Sequence, residues 1–324
     1  MSYPREAKRE GGRQGVSSTR WTLTFQVASG FWHAIVRCFP DQLRDSSMEE
    51  QLVNMLGHQR LFLLLQLWET IKAEERRRDS KGLVSHGFKV FCQNDEDGIL
   101  NEIFRRIGTT NRFFVEIGVG ATENNTLFLL LQGWRGAWVD GAKEIHDEAV
   151  RRYRDHVGSG RLRLAQAFIQ PGNIEELMEK VEAPAELDLF SLDIDGNDYH
   201  VLKALTRWRP RVITLEYNAQ FGPAGDYVMP YTPDHSGWPG NMAFGAGLKP
   251  LSDLCAEKGY ALVGCSYNGV NAFYVREDLL ADHFSEPFTP DHHWRPPLYP
   301  LTGLPQLGHP IPDNGRSLMP DAPR

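Results

Sequence analysis

The chain has 324 residues, of which 41% are hydrophobic and 24% charged, so it can bury one large core or two smaller ones and is far from a disordered composition. Its formal net charge of −7 leaves no excess of Lys and Arg, which argues against nucleic acid as a partner. The most apolar run, residues 61–65, is far shorter than the roughly 20 residues of a membrane-spanning helix, so no membrane partner is expected.

The cysteines are widely spaced and form no C-x-x-C pair. They are Cys38, Cys92, Cys255 and Cys265. This spacing argues against a structural zinc site and against a disulfide framework. The N-terminal residues also fit a signal peptide poorly, since acidic residues interrupt their positive charge. Reduced thiols and no secretion signal predict a cytoplasmic location.

Four segments follow one another along the chain. Residues 1–47 lack sustained periodicity and are interpreted as a poorly ordered appendage, or alternatively as an over-extended reading of a gene that starts at Met48. Residues 48–90 form a helical segment, with one long helix over about 50–78. Residues 91–284 form the main domain. Residues 285–324 are dense in proline, so we expect neither helix nor central strand there, but a disordered tail or an extended strap.

The main domain opens with a helix over 95–106 and then alternates strand and helix. The predicted strands are 113–117, 136–140, 161–168, 187–192 and 211–216, and the helices between them are 124–132, 144–154, 174–181 and 199–205. Strands joined by helices need right-handed crossovers, which gives a doubly wound α/β fold with helices on both faces of a mostly parallel sheet. A helix over 248–258 and a closing strand pair, 261–264 and 272–275, complete seven strands.

The first candidate site is the sequence E-I-G-V-G at residues 116–120, where the first strand meets its helix. Gly118 and Gly120 let the backbone approach a ligand closely, although an ordinary tight turn would also explain them. Asp140, at the end of the next strand, can accept hydrogen bonds from both hydroxyls of a ribose. The glycine turn together with Asp140 fits a nicotinamide cofactor or S-adenosylmethionine. Glu116 favours S-adenosylmethionine, because a carboxylate at that position repels a pyrophosphate. Asn124 either contacts the cofactor or caps the following helix.

The second candidate site is the sequence S-L-D-I-D-G-N-D at residues 191–198. Its three carboxylates repel one another unless a cation or donor compensates them. Glu216 and Asn218 follow the next strand, so both can face Asp193 and Asp195 across one crevice. We interpret Asp193, Asp195 and Glu216 as catalytic, and these three with Asn218 as ligands for Mg²⁺ or Ca²⁺, which prefer oxygen. Asp193 is also assigned to the cofactor. The alternative is a solvent-facing loop with Asp198 capping the next helix.

These residues carry a resemblance to a known family. The residues 116–120, Asp140 and the strand order resemble class I S-adenosylmethionine-dependent methyltransferases, and residues 191–198 resemble the K-I-D-V-E-G-A-E segment of the FkbM-type methyltransferase domain. The resemblance covers about residues 90–280 and implies a Rossmann-like sheet, a cofactor contacted by Glu116, Gly118, Gly120 and Asp140, and O-methylation of a hydroxyl on a sugar, polyketide or similar small metabolite. Ser191 replaces the family's Lys, and Ala121-Thr122 replaces its third glycine.

The arrangement of acids after the fourth and fifth strands also looks like the metal site of catechol-type O-methyltransferases, which makes Mg²⁺ a candidate helper ion. Residues 93–97 either cover the cofactor or cap a helix. Residues 217–238 are too long for an ordinary connection and are interpreted as a substrate lid. Its expected apolar wall is Phe221, Tyr227, Tyr231 and Trp238.

Two other functions remain open for the same pattern. One is an NAD-dependent oxidoreductase, although position 123 is Glu where the dinucleotide motif needs glycine. The other is a non-catalytic module that binds a partner through residues 1–80. A methyltransferase would take a small-molecule acceptor, and formation of a homo-oligomer is left open.

Overall fold

The computed structural model describes residues 46–301, except for residues 121 and 236. The predicted appendage, residues 1–47, falls outside that range except for its last two residues, and so does the tail beyond residue 301. The chain divides into two compact units, Met1–Leu63 and Leu64–Arg324. Within the first unit, the described residues belong to helix α1, which spans Ser46–Arg78 and so begins two residues before the predicted segment boundary. No helix among the described residues has the length and hydropathy to cross a membrane.

The second unit is built on one seven-stranded sheet in the order β3-β2-β1-β4-β5-β7-β6. The strands are β1 Phe113–Ile117, β2 Arg135–Asp140, β3 Leu162–Gln166, β4 Leu189–Leu192, β5 Val212–Glu216, β6 Tyr260–Cys265 and β7 Asn271–Arg276. The first five strands are parallel, and β7 runs antiparallel to both of its neighbours. This arrangement confirms the predicted doubly wound, mostly parallel sheet with a closing antiparallel pair.

Helices connect the strands and cover both faces. They are α2 Glu96–Ile107, α3 Leu127–Leu131, α4 Lys143–Arg152, α5 Arg154–Gly158, α6 Ile174–Lys180, α7 Asp198–Ala204, α8 Leu248–Glu257 and α9 Pro290–His293. All five positions of β1 are buried because a central parallel strand has helices on both sides. Val115 and Ile117 belong to the apolar cluster on one face, while Phe114 belongs to the cluster on the other. Side chains alternate along a strand, so Glu116 points to the same face as Phe114.

The described part of the proline-rich segment, residues 285–301, lies along the domain as a strap. The Tyr217 hydroxyl donates to the carbonyl of Arg295 at 3.2 Å, and the Tyr267 hydroxyl donates to the carbonyl of Leu301 at 3.0 Å. The prediction that no helix forms here is wrong, because α9 makes one turn that begins with Pro290. Proline is tolerated in a first helical turn, where its missing N–H has no partner to lose.

Candidate active site

The turn after β1 is shaped by the loop after β4. Gly118 has a φ of 81°, and a Cβ at this position would lie 1.6 Å from the carbonyl oxygen of Asp193. The backbone N–H of Asp193 donates to the carbonyl of Ile117 at 3.0 Å. Glycine at position 118 therefore brings the acidic loop against the end of β1. A Cβ on Gly120 would lie 2.5 Å from the carbonyl oxygen of Glu123, so this glycine is required by the tightness of the turn.

Asp140 ends β2 beside this turn, as predicted. One carboxylate oxygen accepts from the N–H of Val119 at 3.2 Å and the other accepts from the N–H of Ala142 at 2.7 Å. Partial burial raises the pKa of Asp140, against the effect of the two N–H donors. A carboxylate has about four acceptor positions, so two remain for the hydroxyls of a ligand.

Glu116 holds the loop that follows the turn. Its carboxylate accepts from the N–H groups of Asn125 at 2.7 Å and Thr126 at 3.1 Å, and from the Thr126 hydroxyl. The side chain is 2% exposed, and burial raises its pKa to about 7. Both oxygens are engaged inside the protein, so Glu116 is placed to position the loop. The cofactor contact predicted for it stays a prediction that these contacts do not favour.

Asn124 makes the contacts of a helix cap. Its Oδ1 accepts from the N–H of Leu127, the first residue of α3, at 2.8 Å, and its Nδ2 donates to the carbonyl of Gly120 at 3.2 Å. Of the two interpretations from the sequence, capping is the one seen, and the assignment of Asn124 to the cofactor is not supported. The reason is local: the first N–H groups of a helix lack partners, and a nearby amide oxygen supplies one.

The acidic residues after β4 and β5 come together. Asp193, Asp195 and Glu216 each offer a carboxylate oxygen, and these oxygens lie within 4.8 Å of one another. All three side chains are half-buried. Burial and the charges of Asp193 and Asp195 raise the pKa of Glu216 well above its usual range. This repulsion is what a bound cation would relieve. Asp195 also has a φ of 59°, a left-handed conformation that aspartate tolerates better than most residues.

Asp198 does not join this cluster. It is buried, and its carboxylate accepts from the N–H groups of Ile194 and Gly196, both at 2.9 Å. It therefore closes the loop that carries Asp195, instead of capping α7 as the alternative interpretation held.

The side chain of Asn218 is engaged in the loop that follows β5, so its assignment as a metal ligand stays a prediction that these contacts do not favour. Its Nδ2 donates to the carbonyls of Met242 at 2.9 Å and Phe244 at 3.2 Å, while its Oδ1 accepts from the N–H of Gln220 at 3.2 Å. The side chain is fully buried. β5 ends at Glu216 and the chain turns at once into a short 3₁₀ helix, so the amide of Asn218 anchors the following loop.

The predicted lid folds over the acidic loop. Asn197 donates to the carbonyl of Thr232 at 2.8 Å and accepts from the Thr232 N–H at 3.2 Å. The ring Nε2 of His235 donates to the carbonyl of Asp195 at 2.9 Å. The segment extends beyond the predicted end at residue 238, since Val228 forms a β-bridge with Ala246.

The four lid aromatics divide into two pairs. Phe221 and Tyr227 stack on each other with ring centroids 4.2 Å apart. Tyr231 and Trp238 are exposed by 41% and 49% of their surface. The second pair therefore offers accessible ring surface near the acidic loop, with the Tyr231 ring packed edge-on against His200 at a centroid distance of 5.7 Å, whereas the first pair stiffens the base of the lid.

Phe168 was not foreseen from the sequence. It follows the end of β3, is 51% exposed, and lies against Gly141, where a Cβ would be 2.7 Å from its ring. Gly141 directly follows Asp140. An exposed aromatic ring beside a carboxylate of this kind offers a stacking face for a base. The signal in the sequence was its place at the carboxyl end of a strand.

Residues 93–97 belong to a buried wall outside the turn. Asp97 accepts from the N–H groups of Val90 and Phe91, both at 2.7 Å. Glu96 accepts from the side-chain amide of Asn271 at 2.7 Å. The carbonyl of Phe91 accepts from the N–H of Asn124 at 3.3 Å, so this wall contacts the loop after the turn.

Comparisons with known proteins give one family match and several similar solved structures. Residues 141–240, which include Asp193, Asp195 and Glu216, match the family model described as the methyltransferase FkbM domain. The chain is similar to magnesium protoporphyrin IX methyltransferase from Synechocystis, at 10% identity and a TM-score of 0.38 over 56% of this chain and 77% of that one. It is also similar to an S-adenosylmethionine-dependent methyltransferase from Clostridium acetobutylicum, at 12% identity and a TM-score of 0.36 over 55% and 89%. No curated protein sequence matches the chain.

The strand order of the sheet bears on the NAD alternative. An antiparallel β7 inserted between β5 and β6 separates this order from the 3-2-1-4-5-6 order of dinucleotide-binding oxidoreductases, so the NAD alternative loses its structural basis. The fold is a Rossmann-like α/β fold with a seven-stranded, mostly parallel sheet. Residues 141–240 are similar to the methyltransferase FkbM domain, and this match covers less than half of the chain.

Proposed function

We propose that this protein transfers the methyl group of S-adenosylmethionine to a hydroxyl of a small-molecule acceptor, such as a sugar or polyketide. The observation that carries the proposal is the close approach of Gly118 to the carbonyl of Asp193. This approach supports a turn that binds the cofactor and an acidic cluster that binds the acceptor side by side at the carboxyl end of the sheet.

The cofactor side is supported by three features at the ends of β1, β2 and β3. Asp140 keeps acceptor positions for ribose hydroxyls, and Phe168 offers a ring for the adenine. The turn at Gly118 gives the chain room for close approach of a ligand to the backbone. Together these residues fit an adenosine held across adjacent strand ends.

The acceptor side is supported by the chemistry of the carboxylates. Methyl transfer forms a bond from the acceptor oxygen to the methyl carbon, breaks the methyl–sulfur bond, and releases the hydroxyl proton. Glu216, whose pKa is raised by burial and by its acidic neighbours, is suited to receive that proton. Asp193 and Asp195 would orient the acceptor, and orientation is the larger part of catalysis when two bound reactants meet.

A divalent ion, with Mg²⁺ as the first candidate, fits the same residues. Three carboxylate oxygens within 4.8 Å of one another form a hard-oxygen donor set. An ion held by Asp193, Asp195 and Glu216 would supply Lewis acidity that lowers the pKa of an acceptor hydroxyl.

The exposed rings of Tyr231 and Trp238 support an acceptor with an apolar face. Because the lid is hydrogen-bonded to the acidic loop through Asn197 and Thr232, such a face would lie beside the reacting hydroxyl. A cytoplasmic location is part of the proposal and is supported by the free, buried thiols of Cys92, Cys255 and Cys265.

Calorimetric titration tests the cofactor proposal. We expect S-adenosylmethionine and S-adenosylhomocysteine to bind and NAD not to bind. If neither sulfur ligand binds, the methyltransferase proposal is wrong.

The metal proposal has its own titration. Mg²⁺ added to the protein saturated with S-adenosylhomocysteine should give a binding isotherm that Asp195→Asn abolishes. The control Asp253→Asn changes an exposed acid of α8 and should leave the isotherm intact. Absence of Mg²⁺ binding to the unchanged protein would remove the metal and leave Glu216 as a general base.

A further inference from the structure

Lys89 places a buried positive charge beside the turn that is proposed to bind the cofactor. Its side chain is 5% exposed, and its ammonium lies 2.8 Å from a carboxylate oxygen of Glu123. The ammonium also donates to the carbonyl of Gln93 at 3.0 Å. Glu123 lies in the loop that follows Gly120 and is 47% exposed. The pair therefore joins a fixed, buried cation to a carboxylate on a loop at the surface.

The backbone around Lys89 is held firmly. Asp97 accepts from the N–H groups of Val90 and Phe91, and the carbonyl of Phe91 accepts from the N–H of Asn124. The cation is thus placed by α2 on one side and by the loop after the turn on the other. Its position does not depend on Glu123 alone.

The charges around the turn explain what this cation is suited to bind. Glu116 and Asp140, the ionisable side chains on either side of the turn, are acidic, and so is Asp97 in the neighbouring buried wall. S-adenosylmethionine ends in an amino acid, which carries both an ammonium and a carboxylate. Acidic side chains can serve the ammonium, but the carboxylate requires a cation or N–H donors.

We propose that Lys89 binds the α-carboxylate of S-adenosylmethionine in exchange for its contact with Glu123. This inference rests on the proposed function. The carboxylate of the cofactor would take the place of the Glu123 carboxylate beside the Lys89 ammonium. The buried positive charge therefore has an anionic partner before and after the cofactor binds. Glu123, already half exposed, can return to water at little cost.

The test compares two ligands that differ at the aminoacyl end. S-adenosylhomocysteine carries the carboxylate, whereas 5′-methylthioadenosine lacks the whole amino-acid part. We expect Lys89→Met to weaken binding of S-adenosylhomocysteine by about 10- to 100-fold, the effect of losing one charge-assisted hydrogen bond. Binding of 5′-methylthioadenosine should stay within about twofold of the unchanged protein. Calorimetric titration gives both constants.

Two further variants separate ligand binding from loop positioning. Glu123→Gln should leave the affinity for S-adenosylhomocysteine unchanged or raise it, because it removes a competing carboxylate. Lys89→Arg keeps the charge and should recover part of the affinity that Lys89→Met loses. Thermal unfolding of each variant shows whether it is folded.

Three results would overturn the inference. The first is an equal loss of both ligands in Lys89→Met, which would mean that Lys89 only positions the loop. The second is a loss of S-adenosylhomocysteine binding in Glu123→Gln that matches the loss in Lys89→Met. The third is full affinity in Lys89→Met. If the unchanged protein binds neither ligand, the proposed function fails and this inference fails with it.

Discussion

Asp140 is the residue on which ligand discrimination should depend most. Its carboxylate keeps two acceptor positions toward the crevice after accepting from Val119 and Ala142. Two charge-assisted hydrogen bonds to ribose hydroxyls contribute about 1.5–3 kcal/mol each. We therefore expect Asp140→Ala to weaken binding of S-adenosylhomocysteine by about 100-fold or more in calorimetric titration.

A matched control for Asp140→Ala is Asp147→Ala, which removes an exposed carboxylate from α4. That variant should bind S-adenosylhomocysteine like the unchanged protein. Full affinity in Asp140→Ala would place the nucleotide elsewhere on the molecule.

The sequence predicted which side chains lie near the carboxyl ends of the strands, but it did not predict which partners each of them has there. Asp193, Asp195 and Glu216 converge because parallel strands end at one edge of the sheet. Asn124 and Asn218 follow strand ends as well, but their amides are taken by helix and loop N–H and carbonyl groups close by. Sequence position indicates the edge where a side chain lies, whereas its partners depend on backbone turns that a pattern does not contain.

At the scale of elements, the turn after β1 contacts the loop after β4. This contact should limit which amino acids can replace Gly118. Gly118→Ala adds a Cβ 1.6 Å from a backbone oxygen and also strains a positive φ. We expect a loss of about 2 kcal/mol or more in the free energy of unfolding, measured by urea denaturation.

Gly133→Ala is the control for conformational strain without crowding. Gly133 has a φ of 90°, and a Cβ there would have no neighbour within 4 Å. We expect Gly133→Ala to lower the free energy of unfolding by about 1 kcal/mol, because alanine is strained in a left-handed backbone conformation. If Gly118→Ala and Gly133→Ala lower the free energy of unfolding by the same amount, the turn and the acidic loop can move apart to make room for the added Cβ.

The lid gives a second prediction at this scale. Asn197→Ala removes both hydrogen bonds to Thr232, so residues 228–238 should exchange their amide hydrogens faster by about tenfold. Hydrogen exchange followed by mass spectrometry measures this directly.

Asn111→Ala serves as its control because it removes two hydrogen bonds of the same kind at the opposite edge of the sheet. Exchange in the lid should not change in that variant. An unchanged lid in Asn197→Ala would show that the aromatic stack of Phe221 and Tyr227, at 4.2 Å, is enough to hold it.

Element type was easier to predict than element length. Every strand of the sheet was foreseen, but the third strand is Leu162–Gln166 where 161–168 was expected, and α3 begins at Leu127 where 124 was expected. The second difference has a specific cause. Glu116 accepts from the N–H groups of Asn125 and Thr126 and keeps those residues out of the helix, a long-range contact that local periodicity does not reveal.

For the whole molecule, buried acids should make stability fall as the pH rises. Burial raises the pKa of Glu116 to about 7 and that of Asp97 to about 6. Folded pKa values above the unfolded ones mean that the folded state binds these protons more tightly. This contribution to stability is fully present below the unfolded values of about 4, and it is lost as the pH rises through 6 and 7.

The ligand-free protein should therefore have a higher Tm at pH 5.5 than at pH 8. Each such group changes the free energy of unfolding by up to about 1.4 kcal/mol per pH unit in this window. Glu116→Gln removes one titrating group, so its Tm, although lower, should depend less steeply on pH. Glu257→Gln, on the exposed side of α8, should keep the full slope. A steeper or unchanged slope in Glu116→Gln would show that Glu116 stays ionised in the folded protein, held by its N–H and hydroxyl donors.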